Sequence, residues 1–441
     1  MKKIFSLTTT IALVSFMSCQ KCEEVIFEPC QEIIPNSEHC GWTVATHYSA
    51  EQNGNVGVIY DTRFNSQAPK GDDWGTTTSA PQVTAFHPSN WTGNQIGQVF
   101  GIAIDDQENI YLASSDIYYF DGGFSGPLVS ANIGRPFSAG QIFKCAPPTW
   151  NAVPFAVLPN FATSVFPAEP LNGTGNIAFD KWNRQLFATN LEDGKIYRIA
   201  MDGTIVETYD PWNADTGLPG IVSQPDWVWA IGVNLEEGVI KVYFPRITPE
   251  ERSIYSVTLV DGAFPPAGSE ILEISNVRGD QAIISDLAFS SDNQEMLVSE
   301  RGDPHSAEVF SYSRSGSAWS FNQNYFVGRN NGENSAGGID FAYTEMDGNV
   351  SAACDEYFWA SGNYMGASKS SLGYIYGLEG ISYAGNNNYF APTPTANKDT
   401  DLFIDFDGLD GTGTKRSVGD VEVFDCYNCM DPCDLGDFMG G

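Results

Sequence analysis

A strand–turn–strand unit recurs along this 441-residue chain without ever repeating letter for letter. An apolar run with small residues inside it leads to a turn. A second run then ends in Ala-Ser or Ala-Thr, and a third with an aromatic centre often follows. Residues 175–199 (GNIAFDKWNRQLFATNLEDGKIYRI) display the whole unit, and 101–114, 286–312 and 338–378 are variants of it. A sheet this small cannot bury both of its faces alone, so the units must stack on one another.

Aligning the innermost runs fixes the register: 101–104 (GIAI), 176–179 (NIAF), 230–233 (AIGV), 286–289 (DLAF), 338–341 (GIDF) and 420–423 (DVEV). Their starts lie 52 to 82 residues apart, the range of four-stranded blades with insertions. The pattern predicts an all-β, six-bladed β-propeller. Ala103, Ala178, Gly232 and Ala288 at the third position suit strands that crowd around one axis.

The two ends of the chain complete each other. Residues 42–60 mimic a second and third strand, yet no first strand precedes them, and the orphan copy at 420–423 supplies it. Pairing N- and C-terminal strands in one blade removes an open sheet edge. Cys40 lies just before the second strand and Cys426 just after the first, which predicts a disulfide between them. The propeller then spans 41–426 and a Cys-containing tail spans 427–441.

The start of the chain carries a different kind of signal. Lys2 and Lys3, the apolar run 4–16 and Met17-Ser18-Cys19 make 1–18 an export signal, too short to span a bilayer. A Cys straight after a small residue resembles a bacterial lipoprotein signal, and that resemblance implies a lipid on Cys19. Residues 20–24 (QKCEE) resemble the surface-export tag of Bacteroidetes lipoproteins, with 19–40 as a tether. The expected location is outside the cell, as a surface-exposed outer-membrane lipoprotein or a secreted protein.

Twenty-two basic against 55 acidic residues give a net charge of −33. Repulsion of that size excludes nucleic acid and anionic membrane surfaces as partners, leaving a lipid anchor as the membrane contact. Cysteine usage agrees with an oxidising exterior. Cys22, Cys30 and Cys40 cluster near the start, Cys426, Cys429 and Cys433 near the end, and Cys145 and Cys354 stand alone.

Six inner strands bring their first residues around one axis. Asn176, Asp286 and Asp420 share one register position, and Asp340 and Glu422 replace the small residue two positions on. Converging carboxylates and an amide oxygen are hard ligands suited to Ca²⁺. The blade pattern resembles propellers of the gluconolactonase type, which implies a divalent metal in the channel and lactone hydrolysis. A second acidic group, Asp405, Asp407 and Asp410, is spaced around glycines as in a tight calcium loop.

Other chemistry finds little support. His39, His47, His87 and His305 sit in unrelated contexts, and no Gly-x-Ser-x-Gly elbow is present. Long stretches at 115–139 and 355–400 are rich in Gly, Asn, Ser and aromatics. They offer Tyr118, Tyr119, Tyr357, Trp359 and Tyr364 as a binding surface. Trp212, Trp227 and Trp229 fit packing between blades better than sugar stacking. Residues 417–426 (SVGDVEVFDC) resemble the end of propeller-like regions that precede B-type adhesin repeats, implying an adhesion or display role. The expectation is a non-enzymatic module binding a protein or glycan. The alternatives are a calcium-dependent, lactonase-like hydrolase and a structural subunit of an envelope assembly.

Overall fold

The computed structural model describes residues 38–426 and 429, apart from 50–52, 64, 76–81, 116–138, 161–172, 213–226, 248–251, 278–281, 303–305, 330–332, 344–353, 367–374, 385–397 and 407–416. The first strands are β1 (Thr43–His47), β2 (Gly57–Asp61) and β3 (Thr84–Phe86). Three complete sheets follow. They are β4 (Val99–Ile104), β5 (Ile110–Ser114), β6 (Gln141–Cys145) and β7 (Ala152–Val157); β8 (Thr174–Asp180), β9 (Gln185–Asn190), β10 (Lys195–Ala200) and β11 (Ile205–Tyr209); and β12 (Gly232–Glu236), β13 (Val239–Ile247), β14 (Arg252–Thr258) and β15 (Ile271–Ile274).

Next come β16 (Ile283–Phe289), β17 (Glu295–Arg301), β18 (Val309–Ser315) and β19 (Ala318–Tyr325). They are followed by β20 (Ser335–Phe341), β21 (Tyr357–Gly362), β22 (Gly377–Ser382) and β23 (Leu402–Asp405). A single residue pair, Arg301 opposite Ala336, joins these two antiparallel meanders into one eight-stranded sheet. The last strand, β24 (Val418–Val423), returns to the first sheet, whose order is β24-β1-β2-β3. There Thr43 faces Val423, Val44 faces Glu422 and Ala45 faces Val421. The disulfide Cys40–Cys426 fastens that pairing, and Cys354–Cys429 ties the tail to the segment before β21.

The architecture is that of a β-propeller. Apolar side chains alternate along the middle strands, so each sheet offers one face to the sheet before it and one to the sheet after. Val44, Ile59, Ile102, Leu112 and Phe143 share one such cluster, and Ala103, Tyr111, Ile177, Leu186 and Tyr197 the next. Between the last sheet and the first, Trp359, Leu378 and Ile404 meet Val58, Tyr60, Val421 and Val423. Each fully buried large side chain there contributes about 1.5–3 kcal/mol of transfer free energy.

The inner strands β4, β8, β12, β16, β20 and β24 lie side by side in that succession, with β24 also against β4. Gly338 shows how close they come, since a Cβ on it would lie 2.5 Å from Cα of Asp420. The inner strand expected at 230–233 begins at Gly232, with Val228, Ala230 and Ile231 buried ahead of it. The described residues of 355–400 are not all loop. They contain β21 and β22, because their apolar alternation is that of core strands.

Candidate functional site

The turns that join first strands to second strands frame a pocket of about 140 Å³ at one end of the axis. Each turn is shaped by its own side chains. Asp105 Oδ1 accepts the amides of Gln107 and Asn109, both at 2.9 Å, and its Oδ2 accepts the Tyr111 hydroxyl at 3.0 Å. Asp180 Oδ1 does the same for the amides of Trp182 and Asn183, each at 3.1 Å. These are Asx turns, so the recurring Asp after the first strand is structural. Glu108 receives His39 at 2.8 Å, and Asp106 pairs with Arg184.

Deeper in, Ile102, Ile177, Asp286, Asp340, Tyr343, Glu422 and Asp425 line the pocket, with Phe179, Trp182, Phe289 and Phe424 around them. Lys181 stands over the Trp182 ring at 5.1 Å and is 4.0 Å from Asp425. Burial, with the charge of Asp425 adding to it, holds the Tyr343 hydroxyl well above its ordinary value.

The five channel residues singled out in the sequence do come together. Asn176 Nδ2 donates to Asp286 Oδ1 at 2.9 Å. Asp286 Oδ2 accepts the Ile339 amide at 2.9 Å, Asp340 Oδ2 the Val423 amide at 2.7 Å, and Asp420 Oδ2 the Ile102 amide at 2.9 Å. Each of these carboxylates thus fastens its own inner strand to the next. Oxygens committed to backbone amides are poor metal ligands. Among the described residues no group of three or more His, Cys, Asp or Glu side chains is disposed to hold a metal ion. The calcium assignment to Asn176, Asp286, Asp340, Asp420 and Glu422 is corrected accordingly to a hydrogen-bonded, strand-joining role for the first four. Glu422 is partly buried and lines the pocket.

Burial dominates the electrostatics of this cluster. It pushes the Asp420 carboxyl up to about 7. Burial, with Asp420 adding to it, holds Asp286 well above the usual carboxylate range. Burial and then the charges of Asp425 and Asp286 raise Asp340, and burial with Asp340, Asp420 and Asp286 raises Glu422.

The remaining candidates are dispersed. Asp405 ends β23, while Asp407 and Asp410 lie outside the described residues, as do Tyr118, Tyr119, Cys19, Cys22 and Cys30. Tyr357 and Trp359 are fully buried in β21, where Tyr357 receives Asn65 and Trp359 packs in the core. Neither side chain is open to a ligand, which corrects their expected binding role. Tyr364 is partly buried and edge-on to Tyr376. Trp229 packs edge-on against Phe100 at 5.3 Å, as expected for packing between sheets, and Trp212 lies under the Arg246 guanidinium at 4.6 Å. Arg301 is buried, donating to the carbonyls of Ala336 and Val418.

Sequence reasoning missed Tyr343, Lys181, Trp182 and Asp425. For Lys181 and Trp182 the available signal was the turn after a first strand, 180–183 (DKWN), whose counterparts 105–109 and 290–293 are polar.

No family model matches the chain, and no curated protein matches it. Among solved structures it is similar to a 6-phosphogluconolactonase-like protein of Bacteroides fragilis at 10% identity, covering 88% of this chain and 99% of that one with a TM-score of 0.43. A second such protein, from Bacteroides uniformis, shares 12% identity over 80% of each chain with a TM-score of 0.38. A calcium-binding regucalcin from Agrobacterium tumefaciens shares 12% identity over 72% of this chain and 80% of its own, with a TM-score of 0.36.

Proposed function

We propose that this chain is an exported, six-bladed β-propeller closed by the β1–β24 pairing, and that it acts as a non-enzymatic binding module. Its ligand sits in the axial pocket, in place of the aromatic loops expected from the sequence. The supporting observation is the lining itself: seven carboxylates (Asp105, Asp106, Glu108, Asp286, Asp340, Glu422 and Asp425) against Lys181 as the one basic side chain among the described lining residues. Such a lining favours a small positively charged ligand with an apolar body. Carboxylates neutralise its charge, and Trp182 and Phe289 offer ring faces to it.

Export with a lipid on Cys19 and closure of the ring by its ends belong to the same reading. The even succession of inner strands and the apolar cluster between the last and first sheets support six blades. Titration calorimetry with alkylamines and polyamines, set against neutral sugars, tests the ligand class. Binding of the amines that weakens at least tenfold in Glu422→Gln supports the reading. Equal indifference to amines and sugars, or turnover of a lactone or ester panel, overturns it.

A further inference from the structure

Lys181 and Asp425 belong to segments that are not neighbours. Lys181 follows β8 and Asp425 follows β24, and β4 lies between those two strands. The 4.0 Å approach of Lys181 Nζ to Asp425 Oδ2 therefore bridges the pocket past the sheet that supplies Asp105, Asp106 and Glu108 to its lining. The same ammonium stands over the Trp182 ring, 5.1 Å from its centroid. A primary ammonium on a flexible alkyl stem thus meets an aromatic face and a carboxylate, the two kinds of partner that the pocket offers a cationic ligand.

The turn itself has no use for a lysine here. Asp180 shapes it by accepting the amides of Trp182 and Asn183, and Arg184 fastens it to Asp106 of the turn before. The positions that match Lys181 in two other such turns are Asp106 and Ser291. Nor does the lysine make a firm tie. Its ion pair is long and the Asp425 side chain is 43% exposed, so water screens the attraction.

We propose that Lys181 is a built-in competitor: its ammonium fills the subsite made by the Trp182 ring and Asp425, and a ligand must displace it to bind. The inference rests on the amine reading of the pocket and narrows it. The ligand it selects is a primary alkylamine with a stem of about four carbons, the shape of the side chain that gives way. A subsite filled by its own lysine about nine-tenths of the time weakens the apparent affinity about tenfold.

Titration calorimetry with butylamine on the wild type, Lys181→Met and Arg184→Gln tests this. Lys181→Met keeps the apolar stem, loses the ammonium and should bind butylamine about tenfold more tightly than the wild type. Arg184→Gln removes one positive charge from the same turn but leaves Lys181 in place, so it should change the affinity by less than about threefold. Equal tightening in both variants reduces the effect to net charge and overturns the inference. Unchanged or weaker binding by Lys181→Met, with the wild type still binding, also overturns it and leaves the amine reading standing. Butylamine bound by neither protein overturns the amine reading and the inference with it. A second reading uses wild-type protein with ¹³C-dimethylated lysines, the Lys181 signal being assigned by its loss in Lys181→Met. That signal should start upfield under the Trp182 ring current and move to the position of exposed lysines as butylamine is added. A Lys181 signal that stays in place at saturating butylamine overturns displacement.

Discussion

The backbone amide of Asp420 donates to Thr46 Oγ1 at 2.9 Å, joining residues 374 positions apart. Thr46 passes the connection outward, donating to the carbonyl of Phe100 at 2.8 Å. The next-but-one sheet repeats the relay. The Asn176 amide donates to Thr189 Oγ1 at 2.9 Å, and Thr189 donates to the Trp229 carbonyl at 2.6 Å. Ser361 likewise accepts the Gly338 amide at 2.9 Å. The hydroxyl that ends so many second strands therefore has a physical purpose: it couples its own inner strand to the sheet that follows.

Thr46→Val keeps the shape and removes the hydroxyl, leaving a buried amide and a buried carbonyl without partners. The expected loss is about 1–3 kcal/mol in urea unfolding, with Thr46→Ser recovering most of it. A loss in Thr46→Val too small to measure would show that the relay is dispensable.

Cys40–Cys426 closes a loop of nearly the whole described chain, its ends 386 positions apart. Converting both cysteines to serine is expected to cost about 2–5 kcal/mol. Proteolysis should then cut first near 417–426, since β24 is the strand released. Cleavage elsewhere, with β24 still protected, would count against a locking role.

Lys398 is 1% exposed and sits 2.8 Å from Glu379 Oε1 and 3.0 Å from Asp401 Oδ2. Burial pushes the Glu379 carboxyl up to about 8 even beside that lysine. Lys398→Met strands two carboxyl groups in the core and is expected to destabilise by about 3–5 kcal/mol. Replacing all three residues by apolar side chains should restore much of this. If the triple variant is no more stable than Lys398→Met, stranded charge is not the cause.

Asp355 Oδ2 accepts the Ser291 amide at 2.9 Å and the Ser291 hydroxyl at 2.5 Å, holding a turn that lines the pocket. Burial raises its carboxyl from 3.8 to about 6. Its folded form favours the proton, so its contribution is full below the unfolded value and fades as pH rises through about 6. Asp355→Asn should therefore compare least favourably with the wild type near pH 4 and most favourably near pH 7.5. A stability difference constant across that range refutes the assignment.

How much of this was legible in the sequence varies residue by residue. Val421 and Val423 beside Ala45 and Thr43, and the bridge between Cys40 and Cys426, followed from an orphan first strand and an orphan second strand. Register alone places Asp286, Asp340 and Asp420 on inner strands, where each accepts an amide of the next inner strand. Their chemistry was not legible. Whether a carboxylate faces a metal or a neighbour's N–H depends on strand-to-strand distances that no local pattern encodes. Tyr357 and Trp359 were misjudged for a related reason: aromatics in a Gly- and Asn-rich stretch look like a loop until a neighbouring sheet covers them.

The chain's own letters determined period, register, the pairing of its two ends and the cysteines that fasten them, since each is a one-dimensional regularity of side-chain size and polarity. Only the tertiary structure decided which acidic groups are dry, which are paired and which border a pocket. Those properties depend on the solvent excluded when distant strands converge, and exclusion of solvent is a property of three dimensions.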